Sequence, residues 1–251
     1  MLLLPTLTVA GPIVFSGAGS NTAALTPIVE AFKTFLGTPE NRSQITWDGV
    51  PDKFADLSTP GGLPGNFFND FPGGVPRGIE YSNADDGGTG FLVSAKAEDP
   101  IVPILFANIN PGYPSLFQAF SPQRIFTGLG STVLQLHFFV PGTKTPASTT
   151  VFGAVFVNVK LPFFTQVQYY SCSKPETLLY KGYVPNVPNS AKTLSFLGVG
   201  FDGATEKVCS IAISVGTVPL SGSPLGTEGT SRFINVVTMD DFLFRNPQAL
   251  P

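Results

Sequence analysis

"STVLQLHFFV", residues 131–140, decides the fold class of this chain. In an extended chain successive side chains point to opposite faces, so Leu134, Leu136 and Phe138 share one side. Val133, Gln135, His137 and Phe139 share the other. The alternation predicts a strand with one face in a core and the other in a more polar setting. Segments of strand length follow it: "VFGAVFVNV" (151–159), "TQVQYYS" (165–171), "TLLYKGYV" (177–184), "TLSFLGVGF" (193–201), "KVCSIAISVG" (207–216) and "INVVTMDDFLF" (234–244). Shorter runs precede it: "SQITWD" (43–48), "GIEYS" (78–82), "GFLVSA" (90–95), "PILFAN" (103–108) and "QRIFT" (123–127). Gly, Pro and Asn bound these runs. Many strands with turn residues at short spacing predict a sandwich or barrel, not strand–helix–strand units. We expect an all-β, jelly-roll-type β-sandwich forming one domain over residues 1–251.

Composition agrees. The chain is 43% hydrophobic and 12% charged, which supplies a core and excludes disorder as its general state. Its 27 glycines and 24 prolines, about a fifth of 251 residues, mean many turns. The 23 phenylalanines predict an aromatic core between sheets. A net charge of −3 and scattered Lys and Arg argue against a nucleic-acid partner. No stretch of about 20 apolar residues exists, so no membrane-spanning helix is expected.

One helix stands out. "TPIVEAFKTFLG" places Thr26 as N-cap, Pro27 at the first helical position and Gly37 beyond the end, with the helix over about 26–36. Ile28, Val29, Phe32, Phe35 and Leu36 form its apolar stripe. Residues 48–78 read as a long irregular loop, too apolar for a floppy linker. "MLLLPTLTVA" at the start reads as an ordered first strand, with a signal remnant as the alternative. "FSGAGSNT" (15–22) holds only a fragment of a phosphate-cradling loop and reads as a turn before the helix.

Few residues carry candidate chemistry. His137 is the only histidine, so no zinc site built on several histidines is possible. A Ser-His-Asp triad would need it, and there is no G-x-S-x-G to accompany it, which leaves a surface or hydrogen-bonded residue. Cys172 and Cys209 belong to no C-x-x-C pair. They form either a disulfide or two buried thiols. The doublet Asp240-Asp241, between Met239 and Phe242, breaks the alternation of the last strand. In a regular strand one must face inward, and we take Asp241 as that residue, with a bulge re-aiming the chain around it. A buried carboxylate needs a partner. Arg77 or Arg124 would supply an ion pair. Calcium, which takes oxygen ligands, would be held with Asp48 and Asp52.

"ITWDGVPDKF", "LPGNFFN", "PRGIEYS", "GTGFLVSA", "FQAFSPQRIFTGLGS", "FFVPGTKTPA", "VFGAVFVNV", "LSFLGVGF" and "VVTMDDFLF" together resemble a family of predicted secreted, mostly bacterial all-β proteins without an assigned activity. The resemblance runs from the helix to residue 247 and implies no catalytic residue. "MDDFLF" is also similar to the last strand of galactose-binding-type jelly rolls. Sugar-binding jelly rolls often hold a structural calcium between the last strand and early loops. We therefore expect a secreted or cell-surface, non-enzymatic binding or structural module, with a glycan or a surface protein as ligand. Phe67, Phe68, Phe71 and Tyr113 are the aromatic residues a sugar ring would stack upon, or else core anchors of their loops. The alternatives are a polysaccharide hydrolase and a self-associating fibre subunit that donates its N-terminal strand.

Overall fold

The unbroken apolar runs at 151–157 and 194–200 and the alternating runs at 133–138 and 166–171 go to different sheets. The computed structural model describes residues 11–55, 62–84, 90–97, 104–201, 206–221 and 234–251. Residues 1–10, with the expected N-terminal strand and its role in assembly, lie outside the described residues. In chain order the elements are β1 (Ile13–Gly19), α1 (Thr22–Leu36), β2 (Arg42–Ile45), β3 (Ile79–Asn83) and β4 (Gly90–Val93). Then come α2 (Tyr113–Leu116), β5 (Phe126–Leu129), β6 (Val133–Phe138), β7 (Ala147–Ser148), β8 (Val151–Val157) and β9 (Gln166–Ser171). The last are β10 (Leu178–Tyr183), β11 (Leu194–Gly200), β12 (Val208–Ser214), β13 (Thr238–Arg245) and β14 (Gln248–Ala249).

The first sheet has the order β1-β11-β8-β13-β5-β4, with β2 also on β13; the second runs β10-β9-β12-β6-β3. Within them, β5-β13-β8-β11 faces β6-β12-β9-β10, while the chain crosses repeatedly from one sheet to the other. That order is a jelly roll, two antiparallel sheets wound from paired strands. Every residue of β8 and β11 is buried, because the first sheet is covered on both faces. The phenylalanines of β8 and β13, with Trp47, Tyr81 and Phe126, fill the space between the sheets. On the other face, α1 and residues 104–125 pack over Val151, Val155, Phe196 and Leu243. The second sheet has one face in the core and one open, which is why its strands alternate.

Three local expectations are corrected. The helix begins at Thr22, with Asn21 as N-cap accepting from the Ala24 N–H at 3.0 Å, so Pro27 lies inside it rather than at its first position. Residues 104–108 of "PILFAN" are not a strand. Leu105 and Phe106 have positive φ, and the turn bonds Ala107 N–H to Ile104 O (2.8 Å) and Asn110 N–H to Phe106 O (3.1 Å) bring both side chains into one core. Gly17 and Gly19 are not turn residues but part of β1, under the helix. A Cβ on Gly19 would stand 2.5 Å from the Ala24 Cβ.

Candidate functional site: an acidic seam in the last strand

β13 changes partner along one edge. Phe242 to Arg245 pair with β2, Met239 pairs with β5, and β8 follows the opposite edge. Met239 lies opposite Phe156 and Phe242 opposite Ala154, so the ladder slips by one residue. Asp240 and Asp241 together oppose Val155, as the two residues of a bulge do. Met239 and Phe242 both face the inter-sheet core. Both aspartates are therefore turned to the side of α1 and residues 104–125. They are 0% and 1% exposed. The expectation that one points outward is overturned, because the bulge gives both the same face and that face is covered.

Backbone and neutral donors meet them. Asp240 Oδ2 accepts the N–H groups of Phe120 (2.6 Å) and Ser121 (3.2 Å), and its Oδ1 accepts the Ser121 hydroxyl (2.9 Å). Asp241 Oδ2 accepts Gln44 Nε2 at 2.7 Å, while its Oδ1 is buried without a donor. The early loop is pinned here by Trp47, whose indole N–H donates to the Asp240 carbonyl at 3.0 Å. Its ring stacks on Phe126 with centroids 3.9 Å apart. A φ of 68° at Trp47 turns the chain so that Asp48 follows beside the seam. Asp48 is half-buried and accepts the Arg124 N–H at 3.2 Å.

Among the described residues no arginine pairs with the doublet. The buried guanidinium of Arg124 pairs with Asp52, whose side chain is exposed, and Arg77 lies at the surface. The ion-pair expectation is thus corrected, and Asp52 leaves the acidic set. Burial lifts the Asp240 carboxyl well above the usual range, and the charge of Asp241 adds to this. Burial also raises Asp241, and it raises Asp48 with a contribution from Asp241. Three acids with raised pKa converge where early loop, middle loop and last strand meet. Ser121, Gln44 and Trp47 complete the seam. Nothing in their spacing announces them; only the adjacency of the single tryptophan to Asp48 is a signal.

The aromatic residues expected to stack on sugars serve the core. Phe67 and Phe68 are buried, with Phe68 set edge-on to Trp47 at 5.6 Å. Phe71 is half-buried between Phe54 and Phe67. Tyr113 is buried, stacked on Phe117 at 5.0 Å, with its hydroxyl donating to Ser221 O and accepting the Ser221 N–H, both at 2.9 Å. Phe67, Phe68 and Phe71 pack into the core between the sheets and Tyr113 into the one under α1, so only Phe71 keeps part of its ring exposed. Cys172 and Cys209 are disulfide-bonded, with Cα atoms 5.0 Å apart. His137 is half-buried on the open face of the second sheet, opposite Glu80 of β3 and Ser210 of β12.

Among the described residues, no three His, Cys, Asp or Glu side chains are grouped as ligands of one metal ion. No helix among them is long and apolar enough to cross a membrane. The fold defines an all-β jelly-roll protein with a disulfide and with the helices α1 and the short α2 on one flank. No protein-family model, no curated protein and no solved structure matches the chain.

Proposed function

We propose that this chain is a secreted or cell-surface module that binds or assembles rather than catalyses, and that a calcium ion stiffens it at the acidic seam. The observation that carries this reading is the enclosure of Asp240 and Asp241. Glycoside hydrolysis needs two carboxyls facing each other across a space open to substrate. These two are sealed, Asp240 accepting the Phe120 and Ser121 N–H groups and Asp241 the Gln44 amide, so they join chain segments. The disulfide and the low content of charged residues favour an oxidising, extracellular setting. The reading also agrees with the resemblance to secreted all-β proteins drawn from the sequence.

Calcium fits the chemistry of the donors, all of them hard oxygens. The adjacent carboxylates of Asp240 and Asp241, the Ser121 hydroxyl and the Thr46 carbonyl, which accepts from that hydroxyl at 3.3 Å, would hold it. The donor-free Oδ1 of Asp241 is the atom that most lacks a cation. When bound, the ion supplies the positive charge that lets neighbouring aspartates ionise together. Ligand at about 100 times its Kd stabilises a protein by about 2.7 kcal/mol. For a chain of this length that is a melting shift of roughly 5–10 °C. Thermal unfolding with chelator and then with millimolar calcium is the test. An unchanged melting temperature would remove calcium from the reading, and release of reducing ends from polysaccharide would overturn its non-enzymatic part.

A further inference from the structure

The open face of the second sheet is polar in a particular way. Its strands β6, β12 and β9 turn Leu134, Leu136, Ile211, Ile213, Val167 and Tyr169 into the core. By alternation the outer face carries Gln135, His137, Ala212, Ser214, Gln168 and Tyr170. Near its centre lies a cleft of about 120 Å³ lined by Gln135, His137, Tyr170, Glu176 and Ser210, with Ala212 beside them.

Two devices build this cleft. The first is a bulge: Val208 pairs with Ser171 and Ser210 with Tyr170, so Cys209 is an extra residue in β12. Val208 and Ile211 both face the core, which puts Cys209 and Ser210 together on the open side. The second is the bond from Cys209 to Cys172, which ties down the loop between β9 and β10. That loop closes on itself through Ser171 N–H to Thr177 O (2.9 Å) and Thr177 N–H to Ser171 Oγ (3.0 Å). It delivers Glu176 to the cleft, where Ser210 Oγ donates to Glu176 Oε2 at 2.9 Å.

We propose that this cleft binds a neutral glycan chain lying across the open face of the second sheet, an assignment that rests on the binding-module reading above. Gln135 and Tyr170 each donate and accept without charge, which is what sugar hydroxyls require, while Ser210 gives its hydroxyl hydrogen to Glu176 and orients that carboxylate. Glu176 adds two strong acceptors for hydroxyl donors. The half-buried ring of Tyr170 offers an apolar surface for sugar C–H groups. Glu176 disfavours uronic acids and sulfated sugars, while the nearby Glu80 is neutralised by Lys144 at 2.8 Å. An extended peptide is not the occupant, because strand addition needs a free sheet edge and the backbones of β6, β12 and β9 are already paired on both sides. Pockets that enclose a small ligand measure about 300–1,000 Å³. This smaller cleft grips one part of a chain and leaves the rest on the sheet.

Calorimetric titration with neutral hexasaccharides (β-glucan, xylan, mannan, galactan) and with hexagalacturonate tests the assignment. The native protein is expected to bind at least one neutral chain and not the uronate. Gln135→Ala, Tyr170→Phe and Glu176→Gln each lose one or two hydrogen bonds, so each should weaken binding about tenfold with melting temperatures kept. Neutral-chain binding that survives all three variants would overturn the cleft while leaving the module reading intact. Preference for the uronate, or no binding to any neutral chain, would overturn the ligand class. Hydrolysis of the chains during titration would instead overturn the module reading itself.

Discussion

Asp240 and Asp241 share a single place opposite Val155; burial makes both harder to ionise, and the charge of Asp241 adds to this at Asp240. Without a cation, one proton held between them satisfies the geometry, since it would give Asp241 Oδ1 the donor it lacks. The sign of the pH dependence follows. Their folded pKa values lie above the unfolded value of about 4, so between the two the folded state binds more protons. The stability they contribute is fully present below about pH 4 and is lost as pH rises through the raised values. In chelator, the melting temperature should therefore fall as pH goes from about 4 to about 8. Asp240→Asn supplies an amide N–H in place of the shared proton and should flatten that fall. At the alkaline end it should stabilise by about 1–3 kcal/mol, the cost of an unsatisfied buried group. A melting temperature that rises with pH in chelator would refute this account of the pair.

Helix α1 docks on a hollow made by glycine. Gly153 of β8 and Gly198 of β11 are cross-strand partners, and the ring of Phe32 lies over both. A Cβ on Gly198 would stand 2.6 Å from Phe32 Cε2. Phe32 is fully buried against Phe15 and Phe196 and has no room to retreat. Gly198→Ala should thus cost about 1–3 kcal/mol as an overpacked core does, read as a lower urea midpoint with an unchanged slope. A neutral result would mean that the helix shifts freely on the sheet. The same elements mark how far the sequence could be read. The alternation of "VLQLHF" predicts one buried face, as found, and the unbroken run "VFGAVFVNV" belongs to the doubly covered sheet, because burial leaves its period in the residues. The bulge at Cys209-Ser210 left no such trace, while the one at Asp240-Asp241 is expected from the doublet, though not the shared face it creates. At Asp240-Asp241 and at Cys209-Ser210 a strict period of two assigns neighbours to opposite faces, and one slipped residue returns them to the same face. The partners of the seam were hidden for another reason: Gln44, Trp47 and Ser121 meet Asp240 or Asp241 only through contacts about 120 to 200 positions apart.

At the scale of the whole molecule the jelly roll interleaves early and late chain, and β13 is sandwiched between β2, β5 and β8. Its strands gain their partners late in sequence, so constraints on the unfolded chain weigh in the balance. The disulfide is such a constraint. It joins residues 37 positions apart, and in the chain-entropy model a loop of this length contributes about 4 kcal/mol. Replacing both cysteines by serine should lower the melting temperature by roughly 8–15 °C. The native protein, unfolded without reductant, should show no thiol to a labelling reagent; two labelled thiols would rule the bond out. The bond also holds the loop that carries Glu176 to Ser210. The double serine variant, kept well below its melting temperature, should therefore bind the neutral chain more weakly than the native protein. A variant that melts lower yet binds as tightly would assign the disulfide to stability alone and leave Glu176 held by the β9–β10 turn.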